Sequence, residues 1–153
     1  MSTVERQAAL RSAEKALRHG RVNEAITAYL RVVEADPTDW STANLLGDLY
    51  VRARQVTKGI AQFTRIADHL AAEGFHAKAS ALYKKIIKIQ PDDEYALLQS
   101  GEMAVRLGLL ADARQTFREV ATRRDRRGDE TGAAVIHARI ARLESEERVI
   151  PPV

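Results

Sequence analysis

Residues 20–37 read GRVNEAITAYLRVVEADP, and residues 74–91 read GFHAKASALYKKIIKIQP. Laid one over the other, the two stretches share an opening glycine, an alanine (Ala25, Ala79), a tyrosine (Tyr29, Tyr83), a branched apolar residue (Val32, Ile86) and a closing proline (Pro37, Pro91). The shared apolar positions fall three and four places apart, which sets them on one stripe of a helix. Glycine ahead and proline behind mark where that helix can begin and must stop. The same amphipathic helix is therefore written twice, at the interval that separates Gly20 from Gly74, and a third copy follows with Gly128, Ala133, His137 and Ile140 at the same offsets. This 54-residue interval also separates Gly47 from Gly101 and Phe63 from Phe117. One shorter, 34-residue step runs from Ala13 to Gly47.

Composition agrees with a chain built of such helices. Its 153 residues include 25 alanines and 18 arginines against 6 lysines, with 8 glycines and 4 prolines. Alanine and arginine are good helix formers, and small side chains suit thin layers in which helices approach closely. At 45% hydrophobic content the chain has material for a core. It is not collagen-like or low in complexity. The absence of cysteine removes disulfides, thiolate zinc sites and thiol nucleophiles together. It also agrees with a reducing compartment. The opening MSTVERQAAL is polar, so no signal peptide is expected, and no apolar run approaches the length of a membrane span. The expected location is the cytoplasm.

Breakers and helical periodicity predict eight helices, near residues 4–18, 22–35, 41–53, 57–73, 75–89, 95–107, 111–127 and 129–145. Gly20, Gly74 and Gly128 stand where helices end in a left-handed residue, and Asp39 and Asp93 stand where the next helix needs a cap. No segment reads as a strand. Helices joined by turns of a few residues pack antiparallel, and each needs partners on both sides, which is the logic of a solenoid.

At this point the residues resemble a known family. Leu46, Gly47 and Tyr50 reproduce the L-G-x-x-Y core of a tetratricopeptide repeat, and Ala25 with Tyr29, Ala79 with Tyr83, and Ala113 with Phe117 reproduce its A-x-x-x-[F/Y] element. The sequence departs from the family at Ala43, where its tryptophan would fall, at Gly59 in the match with Phe63, and at His137 after Ala133. The resemblance implies an all-α, right-handed helical-repeat solenoid of about eight antiparallel helices over residues 1–145, followed by an extended, proline-containing tail at 146–153. Combined with the 54-residue interval, it predicts a three-helix unit in which helix 57–73 closes one repeat and opens the next.

The resemblance further implies a non-enzymatic adaptor or assembly scaffold that binds a peptide or helix of another protein in a concave groove. Carried over by position, the groove takes Gln7, Leu10, Arg11, Glu14 and Arg18, then Ser41, Asn44, Leu45, Asp48 and Arg52, then Tyr95, Leu98, Gln99, Glu102 and Arg106. Leu10, Leu45, Tyr95 and Leu98 would be apolar anchors. An acid and an arginine recur four apart in each helix: Glu14 with Arg18, Asp48 with Arg52, Glu102 with Arg106. They offer either a charged stripe to a peptide or an ordinary ion pair worth about 0.2 to 0.5 kcal/mol. Glu14 and Asp48 would repel a terminal carboxylate, so a receptor for acidic chaperone tails is not expected.

Catalysis has little to stand on. There is no phosphate-binding glycine loop, nucleophile elbow or H-E-x-x-H, and His19, His69, His76 and His137 show no helical pairing suited to a metal. No cofactor and no metal are expected. Two basic clusters remain: Lys78, Lys84, Lys85 and Lys88, and the run Arg114, Arg118, Arg123, Arg124, Arg126 and Arg127. Either could meet nucleic acid or an anionic membrane. Against that, residues 91–153 hold 10 basic and 12 acidic side chains and no aromatic interleaves the arginines from Arg118 to Arg127, so nucleic acid is not the expected partner. Val135, Ile136, Ile140 and Leu143 lie on the last helix, which has no successor to cover it. They are expected to form an exposed apolar face, either a homo-oligomer interface or the place where further chain packs.

Overall fold

The structure, a computed structural model, describes residues 1–149. The extended segment expected at Ile150, Pro151, Pro152 and Val153 lies outside the described residues. Among those described, the chain is all-α: α1 (Thr3–Arg18), α2 (Val22–Ala35), α3 (Trp40–Arg52), α4 (Val56–Ala72), α5 (His76–Ile89), α6 (Glu94–Arg106), α7 (Leu110–Arg126) and α8 (Glu130–Val149). Helix bounds fall within one residue of those read from the sequence, except that α8 runs on to Val149 where an end at 145 was expected. The reason is ionic. Glu144 and Glu147 of α8 hold Arg118 and Arg114 of α7, which ties the last turns of α8 to its neighbour. The described residues at 146–149 are thus helix and not extended tail.

The chain divides into two compact units, Met1–His69 and a second beginning at Leu70. In the first, consecutive helices pack as antiparallel neighbours, α1 on α2 and α2 on α3. α1 commits only alanines to the interior, Ala9, Ala13 and Ala16, so it lies close to α2, which buries Ala25, Ile26, Tyr29 and Val32. α3 and α4 meet more tightly still. A methyl carbon built on Gly47 would sit 2.6 Å from Cε1 of the fully buried Phe63 ring. One built on Gly59 would sit 2.7 Å from Val51 Cγ2 and 2.9 Å from the Gly47 carbonyl oxygen. Glycine replaces the family's alanine at residue 59 because the α4 backbone comes down on α3 there.

The second unit repeats the contact. A methyl carbon on Gly101 of α6 would lie 2.5 Å from Cε1 of Phe117 on α7. Around that ring the interior gathers Leu97, Ala104, Ala113, Val120 and Ala121 with Ile136, Ile140 and Leu143 of α8. This corrects the expected exposed face on the last helix. Ile136 and Ile140 are each 7% exposed and Leu143 is fully buried, so of the four residues only Val135, at 60%, faces solvent. The apolar stripe of α8 is consumed by α7, and of these four side chains Val135 alone is left for a dimer.

Turn chemistry follows the sequence with two additions. Gly20, Gly74 and Gly128 take positive φ, and so do Gly108 (75°) and Arg54 (62°), which are separated by the same interval as Gly20 and Gly74. Both close their helices with the same two bonds. Arg54 N–H donates to Val51 O and Gln55 N–H to Tyr50 O, while Gly108 N–H donates to Val105 O and Leu109 N–H to Ala104 O. Arg54 thus holds a left-handed conformation that glycine adopts without strain. Asp39 and Asp93 cap α3 and α6 through the backbone N–H of Thr42 and Ala96.

Replacing Gly101 by alanine should destabilise the fold by about 1 to 3 kcal/mol although alanine is the better helix former, because the Phe117 ring has nowhere to move. Thermal melts check this: Gly101→Ala is expected to melt below the parent, and Gly101→Ala with Phe117→Leu to recover part of the loss.

Candidate functional site

In the first unit, the side of α1 and α3 turned away from the interior carries the residues assigned to the groove. Gln7, Arg11, Glu14 and Arg18 are turned outward on α1 with Leu10 half-buried, and Ser41, Leu45, Asp48 and Arg52 are turned outward on α3 with Asn44 half-buried. The pattern follows from helical period: Thr42, Ala43, Leu46, Gly47, Leu49 and Tyr50 turn inward, so 41, 45, 48 and 52 must turn outward. The two helices are braced. The Arg6 guanidinium donates to Asp39 Oδ2 at 2.5 Å, and the same oxygen accepts from the Thr42 hydroxyl at 2.9 Å. Burial works against ionising Asp39, but the bonds from Arg6 and Thr42 outweigh it and hold its carboxyl below the ordinary value of 3.8. A cap that serves one helix thereby anchors a second, which fixes the two exposed stripes relative to each other.

Most of the charge on that face is left over by the fold. Arg11, Glu14, Arg18 and Arg52 make no ion pair among the described residues, so the expected pairing four apart is not formed by Glu14 with Arg18 or by Arg52 with Asp48. Leu45, at 46% exposed, shares the face with them. At the rim, Trp40 stacks on His69 with centroids 4.4 Å apart. The Arg65 guanidinium lies 5.2 Å from the Trp40 centroid and donates to the Pro37 carbonyl at 2.9 Å. Sequence reasoning missed this stack and the Arg6–Asp39 bond, because both join residues far apart in the chain with no local signal between them.

The second unit treats its share differently. Tyr95 is 47% exposed and Arg106 is exposed, while Leu98, Gln99 and Glu102 are half-buried. Leu98 packs against the interior and so serves the core more than an outside partner. Glu102 accepts from the Arg139 guanidinium of α8 at 3.1 Å and does not pair with Arg106. That bond holds Arg139 more firmly charged than usual. Helix-to-helix bracing has replaced the exposed pair.

The arginine run of α7 is also largely spent inside the unit. Arg124 and Arg127 converge on Glu94 at 2.7 and 3.1 Å, Arg118 reaches Glu144 at 3.2 Å, Arg114 holds Glu147, and Arg123 takes Glu119 on its own helix at 2.9 Å. Burial opposes the Glu94 charge, but its two arginines overcome that and keep the carboxyl below its ordinary range. Of the six, Arg126 is exposed and makes no ion pair among the described residues. A continuous basic patch for phosphates is therefore not what α7 presents.

The histidines are scattered. His19 Nδ1 contacts the Lys15 carbonyl at 2.8 Å, His69 is stacked, and His137 lies 3.4 Å from Asp125. Among the described residues no group of three His, Asp or Glu could hold a metal ion, and no helix is long and apolar enough to cross a membrane.

A family model described as tetratricopeptide repeat matches residues 10–68 and again residues 64–130. No curated protein matches the chain. Among solved structures, a tetratricopeptide repeat protein from Parabacteroides merdae is 14% identical with a TM-score of 0.46; the alignment covers 93% of this chain, which spans only 61% of that one. A thermophilic TPR protein of Thermus thermophilus is 15% identical over 90% of this chain and 91% of that one, with a TM-score of 0.40. The first TPR of Spaghetti, solved bound to an HSP90 peptide, is 14% identical over 97% of both chains with a TM-score of 0.37. With the repeat model matched over most of its length, this chain belongs to the tetratricopeptide-repeat family.

Proposed function

We propose that the protein is a non-enzymatic interaction module, an adaptor or assembly scaffold, and that it captures a peptide or helix of a partner protein on the exposed side of α1 and α3. One observation carries this reading: on two helices braced by Arg6 and Asp39, an exposed Leu45 shares a face with Arg11, Glu14, Arg18 and Arg52, none of which makes an ion pair among the described residues. Fixed charges of both signs beside an apolar anchor suit a segment of mixed charge that brings one apolar side chain. Leu45 would supply the anchor and the arginines and Glu14 the register. Affinity capture from the native cell, with wild type beside the double variant Leu45→Asp and Arg52→Glu, tests this. Partners held by the wild type should be depleted about tenfold or more on the variant, at unchanged melting temperature. An unchanged capture profile would sink the reading.

We also infer that the unit of duplication in this chain is a 54-residue block of three helices, and not the usual helix pair of about 34 residues. Its support is that the bounds of α2, α3 and α4 each return, one such interval later, in α5, α6 and α7. The Gly47–Phe63 and Gly101–Phe117 contacts match in geometry, and the two family matches overlap at residues 64–68 of α4. A chain lacking residues 56–109 should then bring Phe117 against Gly47 and unfold cooperatively on heating. A chain lacking only residues 56–89, the length of one ordinary helix pair, should not. The opposite ranking in circular-dichroism melts would contradict the three-helix unit.

A further inference from the structure

The fold treats the two basic clusters of the sequence in opposite ways. It spends most of the arginines of α7 on acids of α6, α7 and α8, but residues 74–91 contain no acid at all. Lys78, Lys84 and Lys88 of α5 make no ion pair among the described residues. They lie on the outward side of the helix, away from the fully buried Tyr83 and Ile86, and Lys78 and Lys88 stand about 15 Å apart along the axis. At the start of the same helix Phe75 is 53% exposed, and Leu107 from the turn after α6 is 40% exposed beside it. Together with Gly74, Ala77 and Lys78 they border a largely apolar depression of about 320 Å³. Lys78 Nζ stands 5.4 Å from the centroid of the Phe75 ring, at the mouth of the depression.

The geometry points to a second docking face, on α5 and the turn at Leu107, for an acidic peptide segment that carries one large apolar side chain. Its carboxylates lie along the row of Lys78, Lys84 and Lys88, and its apolar side chain enters the depression between Phe75 and Leu107. Charge complementarity selects the occupant: lysines that make no ion pair among the described residues, on a stretch from 74 to 91 that carries no acid, attract carboxylates and raise the rate of encounter, and the apolar pocket supplies the desolvated anchor that electrostatics alone lacks. A bilayer fits less well, because the apolar face of α5 is already buried in the second unit and the remaining apolar surface is concave. Nucleic acid fits less well too. Three lysines neutralise about three phosphates, too few for firm binding at physiological salt, and Lys78 already occupies one side of the Phe75 ring.

The test uses a fluorescein-labelled twelve-residue peptide, rich in glutamate with one central phenylalanine, titrated by fluorescence anisotropy with the full chain. Binding is expected to weaken about tenfold or more in the triple variant Lys78→Glu, Lys84→Glu, Lys88→Glu, and about fivefold in Phe75→Ser or when serine replaces the peptide's phenylalanine. The variant Leu45→Asp should bind the peptide as the wild type does, which separates this face from the proposed function. Equal binding by the triple variant, or no binding by the wild type up to about 1 mM peptide, overturns the proposal. So does lysine-dependent binding of phosphatidylserine vesicles or of single-stranded DNA that is tighter than binding of the peptide.

Discussion

A phenylalanine ring packed onto a residue with no side chain is the constraint on which the rest of the structure depends. Phe63 on Gly47 and Phe117 on Gly101 each bring one helix so close to the next that a single carbon at Cβ would collide. Close approach at that point fixes which faces meet, and the remaining interior positions are filled accordingly. Alanine is fully buried at positions such as Ala13, Ala25, Ala67 and Ala121, while tyrosines and branched residues supply the bulk of the interior. A core of this kind needs few aromatics, and the chain has 5%. It also tolerates little change in volume, since a close-packed interior responds to every added methylene.

With apolar packing settled by small residues, charge distribution decides what each surface is left to do. Acids and arginines that face one another across helices are consumed: Glu94 by Arg124 and Arg127, Glu102 by Arg139, Asp39 by Arg6. These pairs are partly exposed, and individually they contribute little stability. Their effect is positional, because each pins the start or middle of one helix to a neighbour. What remains unpaired falls on two faces of different character: mixed charge beside Leu45 in the first unit, and lysines with Phe75 and Leu107 in the second.

Element positions were legible in the sequence because the punctuation is local. Glycine at 20, 74 and 128 and aspartate at 39 and 93 act within a few residues of themselves, so helix ends could be placed to within a residue almost everywhere. Arg54 escaped, since arginine gives no hint of a left-handed turn; its counterpart Gly108 holds the signal that residue 54 lacks. The end of α8 escaped for another reason, that Glu144 and Glu147 find their arginines a full helix away. The outward stripe of α3 follows from helical period, since Thr42, Ala43, Leu46, Gly47, Leu49 and Tyr50 turn inward. The exposure expected on α8 does not follow from it, because periodicity identifies an apolar stripe without saying whether the preceding helix already covers it. Likewise an acid four residues before an arginine reads the same whether the two pair, as expected at Glu102, or whether an arginine from another helix arrives first.

The closest test of the account looks for the glycine contacts directly, in a ¹³C-edited nuclear Overhauser spectrum of the full chain. Strong cross-peaks are expected from the Hα protons of Gly47 to the ring of Phe63 and from those of Gly101 to the ring of Phe117, of similar intensity in the two pairs. Rings that show no contact with either glycine, and instead report only leucine and valine methyl groups, would contradict it.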